Sequence, residues 1–382
     1  SCFNLYAQDF ALVTDTNNPV VSNPPIAATF YGCAWVDVDN DNDLDLFRAG
    51  TLYINNGSGN FNINTSSGIT NNPGAVLTNG CSWSDYENDG DLDLIYSSNT
   101  NNSGTFSRDT RIFVNDGSGN FSVLSSVLSS INSTSWSVQW SDYNNDGNVD
   151  FMLTFADGFL GSSNHFPNRL YDGNSDGTFT QVTSTLDFLN DLNPYTVSNW
   201  IDYDEDGDSD LFIASGPANN TLAPDFMYRN EFTETGTASF TKLTNADLSF
   251  AETPQDGQQY SFIDYDNDGD LDMCITNWIG KATEFYKNES GTYQLTATPF
   301  STVNTRDLSN AWGDYDNDGD LDVLITSTTQ GGSGYYLNQG DGTFIEVGND
   351  YIGGQIFSGT TGITTGDYDN DGDLDFYVVG TQ

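Results

Sequence analysis

Positive charge is scarce in this chain. Nine Lys and Arg stand against 55 Asp and Glu among 382 residues, a formal net charge of −46. That excludes nucleic acid as a partner, because binding it requires clustered cations that displace counterions. An anionic membrane surface is excluded on the same ground. There is one histidine, His165, and with four cysteines it forms no Cys/His zinc spacing. No nucleophile motif and no Gly-rich phosphate loop occurs. No run of about 18 apolar residues exists, so no helix of the sequence spans a membrane. Lys, Ala and long helical periodicities are few, whereas Gly, Asn, Ser and Thr abound, which points to an all-β chain with many turns.

High acidity with low hydrophobicity is also the composition of disordered tails. Aromatic residues make up 14% of this chain, far too many for such a tail. The acids are gathered into seven tight clusters, each flanked by apolar runs. The clusters align without gaps. They read D-V-D-N-D-N-D-L-D from Asp37, D-Y-E-N-D-G-D-L-D from Asp85, D-Y-N-N-D-G-N-V-D from Asp142 and D-Y-D-E-D-G-D-S-D from Asp202. D-Y-D-N-D-G-D-L-D then occurs three times, from Asp264, Asp314 and Asp367. Successive starts lie 48, 57, 60, 62, 50 and 53 residues apart. A four-stranded propeller blade takes roughly 40–50 residues before loop insertions.

The flanks recur too. Two residues before the loops stand Trp35, Trp83, Trp140, Trp200, Phe262 and Trp312, with Thr365 in the seventh. We read these aromatics as packing between blades. A β-prone run follows each loop. A third run recurs as Leu52-Tyr53, Ile112-Phe113, Leu170-Tyr171, Met227-Tyr228, Phe285-Tyr286 and Tyr335-Tyr336, usually followed by a Gly-rich hairpin turn and an aromatic. Each repeat thus reads as strand A, acidic loop, strand B, connection, strand C, hairpin and strand D. Such a sheet is apolar on both faces and must be covered on both, which radial packing achieves. The expected fold is all-β, a seven-bladed β-propeller of four-stranded antiparallel blades over residues 9–382. The seventh repeat supplies only strands A and B before the sequence ends. Phe10 to Val13 resembles a strand D that could complete it, and Asn4-Leu5-Tyr6 a strand C. Ser1 to Gln8 also resembles the tail of a bacterial export signal, in which case Cys2 belongs to a leader.

Five carboxylates within nine residues, the number in five of the seven loops, repel strongly unless a cation joins them. Calcium accepts six to eight oxygens in irregular geometry. The candidate ligands are positions 1, 3, 5, 7 and 9 of each loop. They are Asp37, Asp39, Asp41, Asp43 and Asp45; Asp85, Glu87, Asp89, Asp91 and Asp93; Asp142, Asn144, Asp146, Asn148 and Asp150. The later loops give Asp202, Asp204, Asp206, Asp208 and Asp210; Asp264, Asp266, Asp268, Asp270 and Asp272; Asp314, Asp316, Asp318, Asp320 and Asp322; Asp367, Asp369, Asp371, Asp373 and Asp375. Positions 1, 3 and 5 offer side chains, position 7 its carbonyl, and position 9 a closing carboxylate. Gly at position 6, or Asn42 once, permits the sharp turn. Up to seven Ca²⁺ are expected, with the Asn-bearing third loop weakest. An EF-hand needs Glu at position 12; that position holds Arg48, Tyr96, Leu153, Ile213, Ile275, Ile325 and Val378.

On these residues the repeats resemble the FG-GAP-like, or VCBS, repeats of bacterial secreted proteins, related to integrin α-subunit propellers. The resemblance implies a calcium-loaded propeller outside the cell or on its surface. The FG and GAP sequences that name the integrin repeats are not evident.

Cys274 reads as a buried thiol. Cys33 and Cys81 occupy equivalent places four residues before their loops, and the sequence leaves a disulfide between them open. The longest insertions, Ser97 to Thr110, Ala156 to Asn168, Ser184 to Asn199, Ser215 to Asp225 and Thr244 to Gln259, belong to the face opposite the acidic loops. With Phe159, Phe166 and Tyr195 among polar residues, they suit a polysaccharide or protein ligand as well as plain solvated loops. Three roles stay open: a non-catalytic binding or adhesion module, which we favour, a structural surface repeat, and a polysaccharide lyase or hydrolase. Against the enzyme, acids outside the loops (Asp157, Asp191, Asp225, Glu252) are scattered, and the net charge repels uronate polymers.

Overall fold

The structure is a computed structural model. It describes residues 10–22, 32–69, 78–98, 110–124, 128, 135–155, 167–190, 195–216, 222–279, 281–301, 306–329, 332–347 and 360–380. Six antiparallel sheets of four strands follow one another along the chain. Blade 1 is Cys33–Val36, Asp45–Arg48, Thr51–Asn55 and Phe61–Ile63. Blade 2 is Thr78–Ser84, Asp93–Ser98, Arg111–Asn115 and Phe121–Val123, and blade 3 is Val138–Ser141, Asp150–Leu153, Arg169–Gly173 and Phe179–Gln181. Blade 4 is Tyr195–Ile201, Asp210–Ser215, Phe226–Asn230 and Phe240–Lys242. Blade 5 is Gly257–Ile263, Asp272–Asn277, Glu284–Glu289 and Thr292–Leu295, and blade 6 is Asp307–Gly313, Asp322–Ser327, Gly334–Asn338 and Phe344–Val347. In each, strands A to D lie in sequence order and every acidic loop joins A to B.

The expectation of seven four-stranded blades needs correction. The described residues form six, and the seventh repeat contributes a two-stranded sheet, Thr360–Gly366 with Asp375–Gly380. Of the Phe10–Val13 segment expected to complete it, only Phe10 makes a backbone bridge. Phe10 makes an isolated bridge and packs edge-on against Phe376 at 4.7 Å, Tyr335 at 5.7 Å and Tyr315 at 5.9 Å. Leu12 and Val13 are 53% and 43% exposed, so the chain leaves the sheet after Phe10. It then turns at Asp15, whose carboxylate accepts the Asn17 N–H at 2.9 Å. Asn4 to Tyr6 lies outside the described residues.

The two-stranded sheet nevertheless closes the ring. Trp35 of blade 1 stacks on Tyr368 of the seventh repeat at 5.5 Å, and Arg48 donates to the Tyr377 hydroxyl at 2.7 Å. Apolar clusters lie between sheets rather than within them, one at each junction around the ring. The aromatic before the loop behaves as expected and turns to the preceding blade. Trp140 stacks on Tyr86 at 5.8 Å, Trp200 on Tyr143 at 5.6 Å, and Trp83 meets Phe47 edge-on. Each such pair is worth about 0.5–1.5 kcal/mol beyond area burial.

Cys33, Cys81 and Cys274 are free thiols. Burial pushes the Cys81 thiol up to about 12, which disfavours its thiolate.

Candidate metal loops

All seven acidic loops fold alike. The carboxylate of position 1 accepts the backbone N–H of position 5 through one oxygen and that of position 6 through the other. In the fifth loop Asp264 takes Asp268 N–H at 3.0 Å and Gly269 N–H at 3.1 Å; Asp37, Asp85, Asp142, Asp202, Asp314 and Asp367 do the same. Position 5 (Asp41, Asp89, Asp146, Asp206, Asp268, Asp318, Asp371) accepts the N–H of position 7. These bonds curl the loop and draw the carboxylates of positions 1, 3 and 5 inward.

Two positions in each loop are left-handed. Position 6 has φ between +70° and +100°, as its Gly or Asn42 requires. Position 4 has φ between +51° and +60° at Asn40, Asn88, Asn145, Glu205, Asn267, Asn317 and Asn370. Asn tolerates this conformation better than most residues. The recurrent Asn at position 4 is the sequence signal of this left-handed turn.

The closing acids, Asp45, Asp93, Asp150, Asp210, Asp272, Asp322 and Asp375, start strand B. All but Asp375 are fully buried. Asp272 Oδ2 accepts the Tyr265 N–H at 3.2 Å, and Oδ1 accepts the Asn288 N–H of strand C at 2.7 Å. The same pair of bonds holds Asp45, Asp93, Asp210 and Asp322. Burial, outweighing these bonds, pushes the closing carboxyls up to about 7 at Asp272 and about 8 at Asp322.

Strand C ends on a residue that ties two loops together. Asn338 donates its amide to Leu321 O of its own loop at 3.2 Å and to Tyr265 O of the preceding loop at 2.7 Å. Asn55, Asn115 and Asn230 make the same double bond, while Asn288 reaches only its own loop. In blade 3 the place is taken by Gly173, where a Cβ would lie 2.3 Å from Val149 O. These asparagines stand at a fixed place after the third β-prone run, yet periodicity alone does not say what they face.

Acidic groups close enough to hold a metal ion include Asp37, Asp39 and Asp41; Asp202, Asp204 and Asp206; Asp264, Asp266 and Asp272; and Asp314, Asp316 and Asp322. Their ligand oxygens lie within 4.8 Å of one another. At that distance two carboxylates repel by roughly 3 kcal/mol for an effective dielectric near 20. The fit to a hard cation rests on position 3. Asp39, Asp266, Asp316 and Asp369 each hold a buried Oδ1 with no hydrogen-bond partner. Such an oxygen costs about 1–3 kcal/mol unless something bonds it. Burial and the neighbouring acids push Asp316 and Asp204 up to about 6.

The loops are not identical in charge. Asn144 and Asn148 replace two acids in the third, and the Asn148 amide donates to Asp146 Oδ1 at 2.8 Å, a bond that competes for that oxygen. In the fifth, Lys287 lies 2.7 Å from Asp266 and 3.7 Å from Asp268, so an ammonium already neutralises part of the cluster. The side chains of position 7 turn away from the loop centre toward neighbours. Asp270 Oδ2 accepts Ser290 N–H at 2.7 Å, and Asp91 accepts the Asn40 amide at 2.7 Å.

A family model for the FG-GAP-like repeat matches residues 85–153, 202–275, 264–325 and 314–378, more than half of the chain. The chain belongs to the FG-GAP-like repeat family. Every match begins on one acidic loop and runs just past the next, so the family's unit is defined by the loops described above. No curated protein sequence matches significantly. Among solved structures, an Agrocybe aegerita lectin that recognises non-reducing terminal N-acetylglucosamine is 15% identical, with a TM-score of 0.53 over 92% of this chain and 86% of that one. A Lactobacillus plantarum protein is 9% identical (TM-score 0.48, 87% and 85% covered). A Bacillus licheniformis rhamnogalacturonan lyase is 15% identical (TM-score 0.44, 90% and 65% covered). At these identities the lectin attests the propeller fold of the FG-GAP-like chain and nothing about its ligand.

The face opposite the loops is described in part. Ala156 to Phe166, including His165 and Phe159, lies outside the described residues, as do Asp157 and Asp191. Two of the expected recognition loops are instead tied to each other: Ala223–Pro224 pairs with Pro254–Gln255. Beneath them buried Asp225 accepts Ser215 N–H and the Gln255 amide, both at 2.7 Å, and the Tyr260 hydroxyl. Glu252 likewise accepts Asn245 N–H at 3.2 Å. Among the described residues, no helix is long and apolar enough to cross a membrane.

Proposed function

We propose that this chain is an extracellular calcium-binding propeller that works as a non-catalytic binding module for a polysaccharide or another protein. The observation that carries the metal assignment is the buried, unbonded Oδ1 of Asp39, Asp266, Asp316 and Asp369, each inside a loop curled by its own backbone N–H groups. Positions 1, 3, 5 and 9, with the carbonyl of position 7, would hold calcium, which supplies charge neutralisation and completes the oxygen shell.

The binding role draws support from the axis of the ring. A cavity of about 450 Å³ lies in the N-terminal half of the inner strands, away from the acidic loops. All seven repeats contribute to its wall, which includes Trp136, Gln139, Asn199, Gln258 and Tyr260. The half-buried amides of Gln139 and Asn199 suit sugar hydroxyls. Glycans ending in N-acetylglucosamine, the ligand of the lectin with the same fold, are the first probes. A glycan array read with calcium and with chelator tests the role. Specific binding that fails when Gln139 and Asn199 are both changed to Ala supports it, and release of reducing ends or unsaturated sugars from the array overturns it.

A further inference from the structure

The fourth loop differs from the others at position 7. In four loops that aspartate is bonded by an amide from the loop before it. Asn370 donates to Asp43 at 2.9 Å, Asn40 to Asp91 at 2.7 Å, Asn267 to Asp320 at 3.1 Å and Asn317 to Asp373 at 2.8 Å, always to Oδ1. The equivalent residue of the fourth loop, Asp208, is 2% exposed. Its Oδ2 accepts the Thr233 N–H at 2.8 Å. The Phe232 N–H and the Thr233 hydroxyl also face this carboxylate, but no donor is well placed on its buried Oδ1, so the amide of Asn145 does not take the usual place.

A third carboxylate stands there instead. The connection from strand C to strand D is lengthened in blade 4 and carries a short helix, Phe232–Thr235, with Glu234 in its first turn. Ligand oxygens of Asp206, Asp208 and Glu234 lie within 4.8 Å of one another. Asp206 also belongs to the group Asp202, Asp204 and Asp206, and its own Oδ2 is buried without a partner. Arg229, the basic side chain that acts on Asp204, is held by Glu231 at 2.7 Å.

We propose that Asp206, Asp208 and Glu234 bind a second calcium ion beside the one held by the fourth loop, with the Asp206 carboxylate shared between them. Three carboxylates gathered around two unbonded buried oxygens need a compensating charge. The donors are all oxygen, which selects a hard divalent cation over zinc or copper. The irregular set, reaching across a loop and a helical insertion, suits calcium better than the strict octahedron of magnesium. The site rests on the calcium reading of the loops only through Asp206.

Native mass spectrometry of the whole chain, titrated with calcium chloride, counts the ions. Wild type should saturate with one ion more than Glu234→Gln, and Asp208→Asn should match Glu234→Gln. Glu234→Lys, which places an ammonium beside Asp208, should lose the same ion while keeping its fold in chelator by circular dichroism. Equal, non-zero counts in wild type and Glu234→Gln overturn the second site alone. A wild type that binds no calcium overturns both this site and the loop reading.

Discussion

Asn370 donates its side-chain amide to Asp43 Oδ1 at 2.9 Å, joining residues 327 positions apart in sequence. Asn370 is position 4 of the last acidic loop and Asp43 is position 7 of the first. The same link runs from loop 1 to loop 2, from 5 to 6 and from 6 to 7. The link occurs at four of the seven junctions and joins loops 5, 6, 7, 1 and 2 in an arc on one face of the propeller, and the bond between the last repeat and the first is one copy of a repeated device.

Removing that bond should weaken the closure. Asn370→Ala loses about 1 kcal/mol for the hydrogen bond and about 1 kcal/mol more for forcing Ala into a left-handed backbone. Asn370→Gly should lose only the first. Urea unfolding in saturating calcium measures both; an Asn370→Gly variant as stable as wild type would contradict the role of the side chain, and equal losses for the two variants would contradict the backbone cost.

The closing acid and the other ligand acids should separate under chelation. Asp272→Ala leaves the N–H groups of Tyr265 and Asn288 without acceptors and should cost about 2–4 kcal/mol even in chelator, and more in calcium because a ligand is lost as well. Asp268→Asn should remove one ion and lower the melting temperature only when calcium is present. Metal analysis beside thermal melts in calcium and in EDTA distinguishes the two patterns.

Asn338→Leu removes the amide that spans Tyr265 O and Leu321 O and leaves both carbonyls unbonded. A loss of about 2–4 kcal/mol is expected by urea unfolding. Asn288→Leu, which severs no link to a neighbouring loop, should cost less.

Chelated protein should gain stability as pH falls. The closing acids have an ordinary value of 3.8 and are raised by burial to about 7 at Asp45 and about 8 at Asp210. A group raised in the folded state binds its proton there first, so its contribution is complete below about 4 and is lost as pH rises through 7 to 8. The melting temperature in EDTA should therefore rise from pH 8 to pH 5. Calcium affinity should move the opposite way, since protons compete for the same oxygens.

The sequence made the A–B hairpins legible because Asp-rich turns and apolar strands alternate at fixed offsets, and Trp35, Trp140 and Trp200 took the interblade places assigned to them. It also marked every closing acid from Asp45 to Asp375. It did not reveal that Asp272 and its counterparts are bonded by strand C, because that contact joins residues brought together only by the fold. The count of complete blades failed for a related reason. Phe10 carries the apolar character of a strand D, but a strand needs a ladder of backbone bonds, and the chain turns away at Asp15 after a single bridge. Glu234 was invisible as a ligand because it lies in an insertion with no counterpart in the other repeats.

Thermal unfolding of the purified chain in 1 mM calcium and in excess EDTA, about pH 7.5, tests the metal assignment most directly. Binding confined to the folded state raises stability with ligand concentration, so the melting temperature should climb with calcium and fall sharply on chelation. Identical melts in the two buffers, with no ions retained on the intact protein, would mean that the seven loops are acidic turns and nothing more.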